Sequence, residues 1–232
     1  MLIGSGLLAK AFFPSCSQRE DICVYAAGVS NSVCSDAREF MRERQRLTET
    51  LAQTQDLDAF VYFGTCSVMD PEATNTPYVQ HKVAMERLVS THPRHLILRL
   101  PQVAGKTPNP HTLLNFLYSR ISRSEAFPLW RKARRNIIDV TDVVSIADCL
   151  ITAKSARNVI LNVANPLSYP MPDIVTAMER AAGKRAIYHV VERGSDYPID
   201  VKAVLPLLHK VAVQFGDAYL EHVINKYHGD TH

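Results

Sequence analysis

Short, near-continuous apolar runs alternate along the chain with longer stretches whose apolar positions recur every three or four residues. The runs predict strands at Leu2–Ile3, Ile22–Ala26, Ala59–Phe63, Leu96–Leu100, Ile137–Val140, Val159–Val163 and Ile187–Val191. Continuous rather than alternating hydrophobicity suits strands covered on both faces. Between them, Ala37, Phe40, Met41, Leu47 and Leu51 share one helical face, opposite Arg42, Glu43, Arg46 and Glu49. Val79, Val83 and Leu88 stripe the next helix, and Asp142–Ala153 and Pro172–Ala182 read as two more, with Pro172 suited to a first turn and Gly183 to a stop. This alternation predicts an α/β fold: a parallel sheet with helices on both faces.

Composition narrows the class. The chain has 232 residues, 47% of them hydrophobic, enough for a substantial core. No apolar run reaches the about 18 residues of a membrane span. Met1–Phe13 is apolar but has no basic flank, and it reads as part of the fold rather than a signal segment. The five cysteines form no Cys-x-x-Cys pair, and the nine histidines are scattered, so a reduced, cytoplasmic protein without a metal site is expected. A net charge of +3 fits an anionic small molecule and does not call for nucleic acid. Proline thickens after residue 100, which places a smaller lobe in residues 103–135 and 165–232 around a main unit of residues 1–164.

Three segments carry candidate chemistry. Gly4-Ser5-Gly6-Leu7-Leu8-Ala9 is a G-x-G-x-x-A turn after an apolar start. Gly4 permits a tight turn, Gly6 lets backbone approach a pyrophosphate, and Ala9 lets the helix pack on the strand. Tyr78 and Lys82 stand at i and i+4, one turn apart on one helix face. An ammonium beside a phenol stabilises the phenolate and eases proton transfer. Phe60–Ser67 is an apolar strand ending in the hydroxyls of Thr65 and Ser67, at the strand end where ligands of parallel sheets sit. Each segment has a plainer reading: a simple turn, a surface pair, a helix cap. Arg131–Arg135 is either a solvated loop or a grip for a diphosphate.

In this order, the three segments make the chain resemble the short-chain dehydrogenase/reductase superfamily, and more closely its extended branch, the NAD-dependent epimerase/dehydratase family. Tyr25–Ser32, Leu98–Gly105 and Arg135–Val143 are similar to further segments of that branch. The resemblance implies a Rossmann-type, doubly wound parallel sheet with a small C-terminal substrate lobe. It implies Thr65, Tyr78 and Lys82 as the catalytic set and NAD or NADP as cofactor. Gly4, Gly6, Leu7, Leu8, Ala9, Ala27, Gly28, Pro101, Gln102 and Val103 would line the dinucleotide, together with Tyr78 and Lys82. Ser67, Gln102, Arg131 and Arg135 would meet a nucleotide-sugar substrate, and a homodimer paired through the helices after Ser32 and from Tyr78 is expected.

The chain departs from that pattern between the glycine turn and Ile22, where a full dinucleotide half would insert two more strands and a residue reading the ribose 2′ position. The expected function is an NAD(P)-dependent epimerase or keto-reductase on a nucleotide sugar. The rival is a non-catalytic nucleotide-binding protein on the same scaffold.

Overall fold

The structure is a computed structural model that describes residues 1–153 and 156–229. Five parallel strands form the central sheet: β1 (Leu2–Ile3), β2 (Ile22–Tyr25), β3 (Ala59–Thr65), β4 (His95–Leu100) and β8 (Val159–Asn162), side by side in that order. Side chains alternate across it. Ile22, Val24, Val61, Phe63, Leu96 and Leu98 join a cluster with α1 (Leu7–Cys16) and α5 (Val140–Thr152). Cys23, Tyr25, Phe60, Tyr62 and Ile97 join another with α2 (Ala37–Gln53) and α3 (Pro77–Val89) on the opposite face. The sheet is thus covered twice, as the continuous apolar runs require. It is a Rossmann-type α/β fold in which β1 is an edge strand, since α1 leads straight to β2 with no further strands between.

A second group of elements caps the carboxyl ends of the strands. Three segments without a strong periodic signal are strands: β5 (Gln102–Ala104), β6 (Phe127–Trp130) and β9 (Ser168–Pro170). β5 and β9 flank β7 (Arg134–Asp139), and β6 pairs with β10 (Tyr188–Val191). With α4 (Leu113–Ser122), α6 (Met171–Ala182) and α8 (Tyr219–His228) they enclose a core of their own around Leu117, Phe127, Ile137, Ile174 and Val223. Val201, Val204 and Val213, around α7 (Leu205–Leu208), return to the α1–α5 side of the main sheet. Gly183 ends α6 at φ 60°, the left-handed stop its position predicts. Pro14 is accommodated inside the last turn of α1, so the helix runs on to Cys16 instead of ending at the proline.

Asp139 ties the two parts together. Its carboxylate caps α5 by accepting the Thr141 N–H at 2.8 Å and also accepts from Lys226 and Tyr227 of α8, each at 2.7 Å.

Candidate functional site

A cleft of about 640 Å³ runs along the carboxyl ends of the strands. One end is lined by Gly4–Leu8 and Ala26–Val29, and the middle by Leu100–Val103. The far end is lined by Thr65, Ser67, Tyr78, Lys82, Arg135, Asn136 and Tyr197. Fourteen of the residues expected at the site therefore face one cavity: Gly4, Gly6, Leu7, Leu8, Ala27, Gly28, Thr65, Ser67, Tyr78, Lys82, Pro101, Gln102, Val103 and Arg135. Ala9 lies on the buried face of α1, where a small side chain serves packing. Arg131, by contrast, pairs through its guanidinium with Glu192 at 2.7 Å on the surface and is not among the residues lining the cleft.

The glycine turn divides its labour. Gly4 has φ 131°, and a Cβ there would overlap the carbonyl of Ala26 on the β2 side. Gly6 has φ −79°, and a Cβ there would meet nothing within 4 Å, so its missing side chain leaves room in the cleft and not in the protein. As N-cap of α1 it offers no side-chain acceptor, which leaves the first-turn N–H groups pointing out of the helix. An anion, such as the pyrophosphate of a dinucleotide, fits that arrangement of open space and free donors.

At the other end β3 delivers Thr65, whose hydroxyl oxygen accepts the Ser67 N–H at 3.1 Å and which lines the same end of the cleft as Tyr78. Thr76 caps α3, and Pro77 opens it, which sets Tyr78 in the first turn with Lys82 one turn on. Tyr78 is 8% exposed and Lys82 3%. Arg99 of β4 clamps the same helix through a two-pronged bond to Glu86, with Nη2–Oε2 at 2.7 Å and Nε–Oε1 at 3.0 Å. Gly64 admits this pair, because a Cβ there would overlap the Glu86 carboxylate.

One residue lies on a different face from the expected one. Glu43, read as part of the polar side of α2, is 3% exposed. Its Oε1 accepts the Tyr62 hydroxyl at 2.8 Å and lies 3.5 Å from Lys82 Nζ. Its Oε2 accepts the Val29 N–H at 2.7 Å and lies 2.9 Å from His81 Nε2. A signal for this exists in the spacing: Glu43 falls on the stripe of Phe40, Leu47 and Leu51, not opposite it. Burial alone would raise the Glu43 carboxyl, but Lys82, His81, the Val29 N–H and Tyr62 outweigh it and bring it down to about 2. Burial lowers Lys82 from its ordinary value, and the Glu43 carboxylate opposes that drop.

Burial pushes Tyr78 up to about 12; the Thr65 hydrogen bond lowers it and the Glu43 charge raises it further. Tyr78 therefore stands as a neutral phenol. Tyr197, which no motif or periodicity singles out, reaches the same end. Its segment is anchored by Ser195, whose hydroxyl donates to Asp70 at 2.6 Å.

Among the described residues no cluster of His, Cys, Asp or Glu could hold a metal, and no helix is long and apolar enough to cross a membrane.

A model of the NAD dependent epimerase/dehydratase family matches residues 15–164, more than half of the chain. Solved structures share the fold. UDP-glucose 4-epimerase of Thermus thermophilus, complexed with NAD, is 18% identical, with 94% of this chain and 79% of that one covered and a TM-score of 0.68. UDP-glucuronic acid 4-epimerase of Bacillus cereus, complexed with UDP-glucuronic acid and NAD, is 14% identical over 96% and 87%, with a TM-score of 0.71. RMD of Pseudomonas aeruginosa, complexed with NADPH, is 13% identical over 97% and 95%, with a TM-score of 0.74. No curated protein matches the chain in sequence.

Proposed function

The chain belongs to the NAD dependent epimerase/dehydratase family, and we propose that it is an NAD(P)-dependent epimerase or keto-reductase acting on a nucleotide sugar, with Tyr78 as proton carrier. The observation that carries this reading is the meeting of Thr65, Tyr78 and Lys82 at one end of the cleft whose other end is the Gly4–Gly6 turn. Neighbours of the same fold whose structures contain NAD, NADPH or UDP-glucuronic acid support it.

A nicotinamide dinucleotide along the cleft supplies or accepts the hydride at the reacting carbon. The protein does the rest. Gly6 and the first turn of α1 bind the pyrophosphate through backbone N–H groups. Ala27, Gly28 and Pro101–Val103 wall the channel toward the reactive end. Thr65 orients the substrate oxygen and the Tyr78 hydroxyl toward each other. In reduction the Tyr78 O–H bond breaks, its proton goes to the former carbonyl oxygen, and the phenolate remains; in oxidation the phenolate takes the proton back. Lys82, one helical turn from Tyr78, lines the same end of the cleft. Arg135, with Ser67 and Gln102, lies at the substrate end, where its fork suits a diphosphate.

The test is mass spectrometry of small molecules retained by the purified protein, with fluorescence titration of NADH and NADPH. Bound dinucleotide or nucleotide sugar, and saturable nicotinamide fluorescence, are expected. Absence of binding by any of these ligands would overturn the reading, and binding without turnover of any UDP-hexose would favour the binding-protein alternative.

A further inference from the structure

The cleft contains a cation whose charge is already spent. We infer that Glu43 is a positioning residue for the proton-transfer pair: by pairing with Lys82 beneath Gly28 it cancels the ammonium charge one helical turn from Tyr78 and keeps Tyr78 a proton donor. The inference rests on the role proposed for Tyr78 and deepens it, because a site that stores the proton on the phenol is set for reducing a ketone.

Four contacts from three parts of the chain fix the Glu43 carboxylate: Tyr62 of β3, His81 and Lys82 of α3, and the Val29 N–H. So many donors on a buried carboxylate hold it ionised and immobile. Lys82 Nζ lies 3.5 Å from Glu43 Oε1 and 4.5 Å from the centre of the Tyr62 ring. A Cβ on Gly28 would stand 2.8 Å from that ammonium and 2.9 Å from Glu43 Oε1, so the glycine is what lets the pair form against the cleft wall. Phe40 stacks on His81 at 4.4 Å and closes the pocket from α2.

Of the other charged groups, Arg135 lines the same end of the cleft as a cation and is the same in wild type and in the Glu43 variants. Glu86 is matched by Arg99 through the two-pronged bond. Tyr62 is a donor to Glu43 and remains a neutral phenol, with burial as the main cause. Tyr197, at the substrate end, is also held neutral by burial. Removing the Glu43 carboxylate charge takes away the anion that opposes the Tyr78 phenolate.

The experiment follows the Tyr78 ring carbon that bears the hydroxyl by nuclear magnetic resonance in full-length protein labelled with ¹³Cζ-tyrosine, the signal being identified by its loss in Tyr78→Phe. No substrate or cofactor is needed, so the outcome is separate from whether the chain turns over a nucleotide sugar. In wild type the Tyr78 signal should stay that of a phenol through pH 10. In Glu43→Gln the Tyr78 titration should move down by about one pH unit or more, which raises the phenolate fraction at pH 10 about tenfold. Tyr62→Phe, which removes a hydrogen bond but no charge, should leave the titration in place. If Glu43→Gln does not fold, Glu43→Asp, with its carboxylate drawn back by one methylene, should move the titration less but in the same direction. An unchanged Tyr78 titration in the folded Gln or Asp variant would overturn the inference and make Glu43 a packing residue only.

Discussion

Replacing Gly6 with valine separates binding from folding. The Gly6 backbone, at φ −79°, lies where valine is comfortable, and the new Cβ meets no atom within 4 Å. Valine caps a helix less well than glycine, a loss of a few tenths of a kcal/mol to about 1 kcal/mol. It also restricts the unfolded chain more, a gain of about 0.4–1 kcal/mol. The two nearly cancel, so the melting temperature should move by no more than a few degrees. Binding has no such compensation. The side chain fills the space over the first turn of α1, and a ligand phosphate kept out of it loses at least one charge-assisted hydrogen bond, about 1.5–3 kcal/mol. That corresponds to roughly ten- to a hundredfold in Kd. Calorimetry of NADH and NADPH against wild type and Gly6→Val, with thermal unfolding of both proteins, reads the two effects apart. Gly4→Ala supplies the contrast: at φ 131° and against the Ala26 carbonyl it should lower stability directly. Unchanged affinity in a folded Gly6→Val protein would refute the reasoning and leave the glycine turn as a turn only.

Other outcomes follow from the same geometry. Gly64→Ala should cost about 3 kcal/mol in urea unfolding, because its Cβ would part the buried Glu86–Arg99 pair. Glu43 and Asp139 are both carboxylates held below their ordinary values in the folded protein: each adds stability above the unfolded carboxylate range near pH 4 and loses it as pH falls through its lower folded value. The urea midpoint should therefore drop between pH 5 and pH 2, and Asp139→Asn should shrink that drop; equal pH dependence in both proteins would contradict the assignment. Lys10 and Arg46 line the cleft, so NADPH binding should weaken with salt more steeply than NADH binding, by calorimetry at two ionic strengths. A dimer mass by light scattering is expected, with Met41 and Leu88 on the helices that would pair; a monomer at micromolar concentration would argue against it.

Local patterns in the sequence predict most of the sheet and the site, and long-range partners account for what they miss. The apolar runs at Ile22, Ala59 and Leu96 become central strands because burial on both faces leaves no other use for them. Tyr78 and Lys82 share a face because a helix puts i and i+4 together. Strands β5, β6 and β9 are too short to show a period, and their pairing with distant segments decides their conformation. Glu43 falls on the apolar stripe of α2, but a carboxylate there reads as surface until its partners, Tyr62, His81 and Lys82, are known to surround it. The Arg131 pair is hidden in the same way, since Glu192 lies far along the chain. Tyr197 comes from a segment without periodicity and enters the site through the Ser195–Asp70 bond.

If Tyr78 carries the proton of a nicotinamide-dependent reaction, Tyr78→Phe is the most direct test. The measurement is turnover of UDP-linked hexoses and their 4-keto forms with NADH and NADPH, each deuterated at C4 of the nicotinamide ring, in wild type and variant, with dinucleotide affinity measured alongside. The wild type should place deuterium in the sugar product. Tyr78→Phe should lose turnover with dinucleotide affinity nearly unchanged, since the ring stays and only the hydroxyl goes. Wild-type turnover in Tyr78→Phe would contradict the role of this tyrosine as proton carrier.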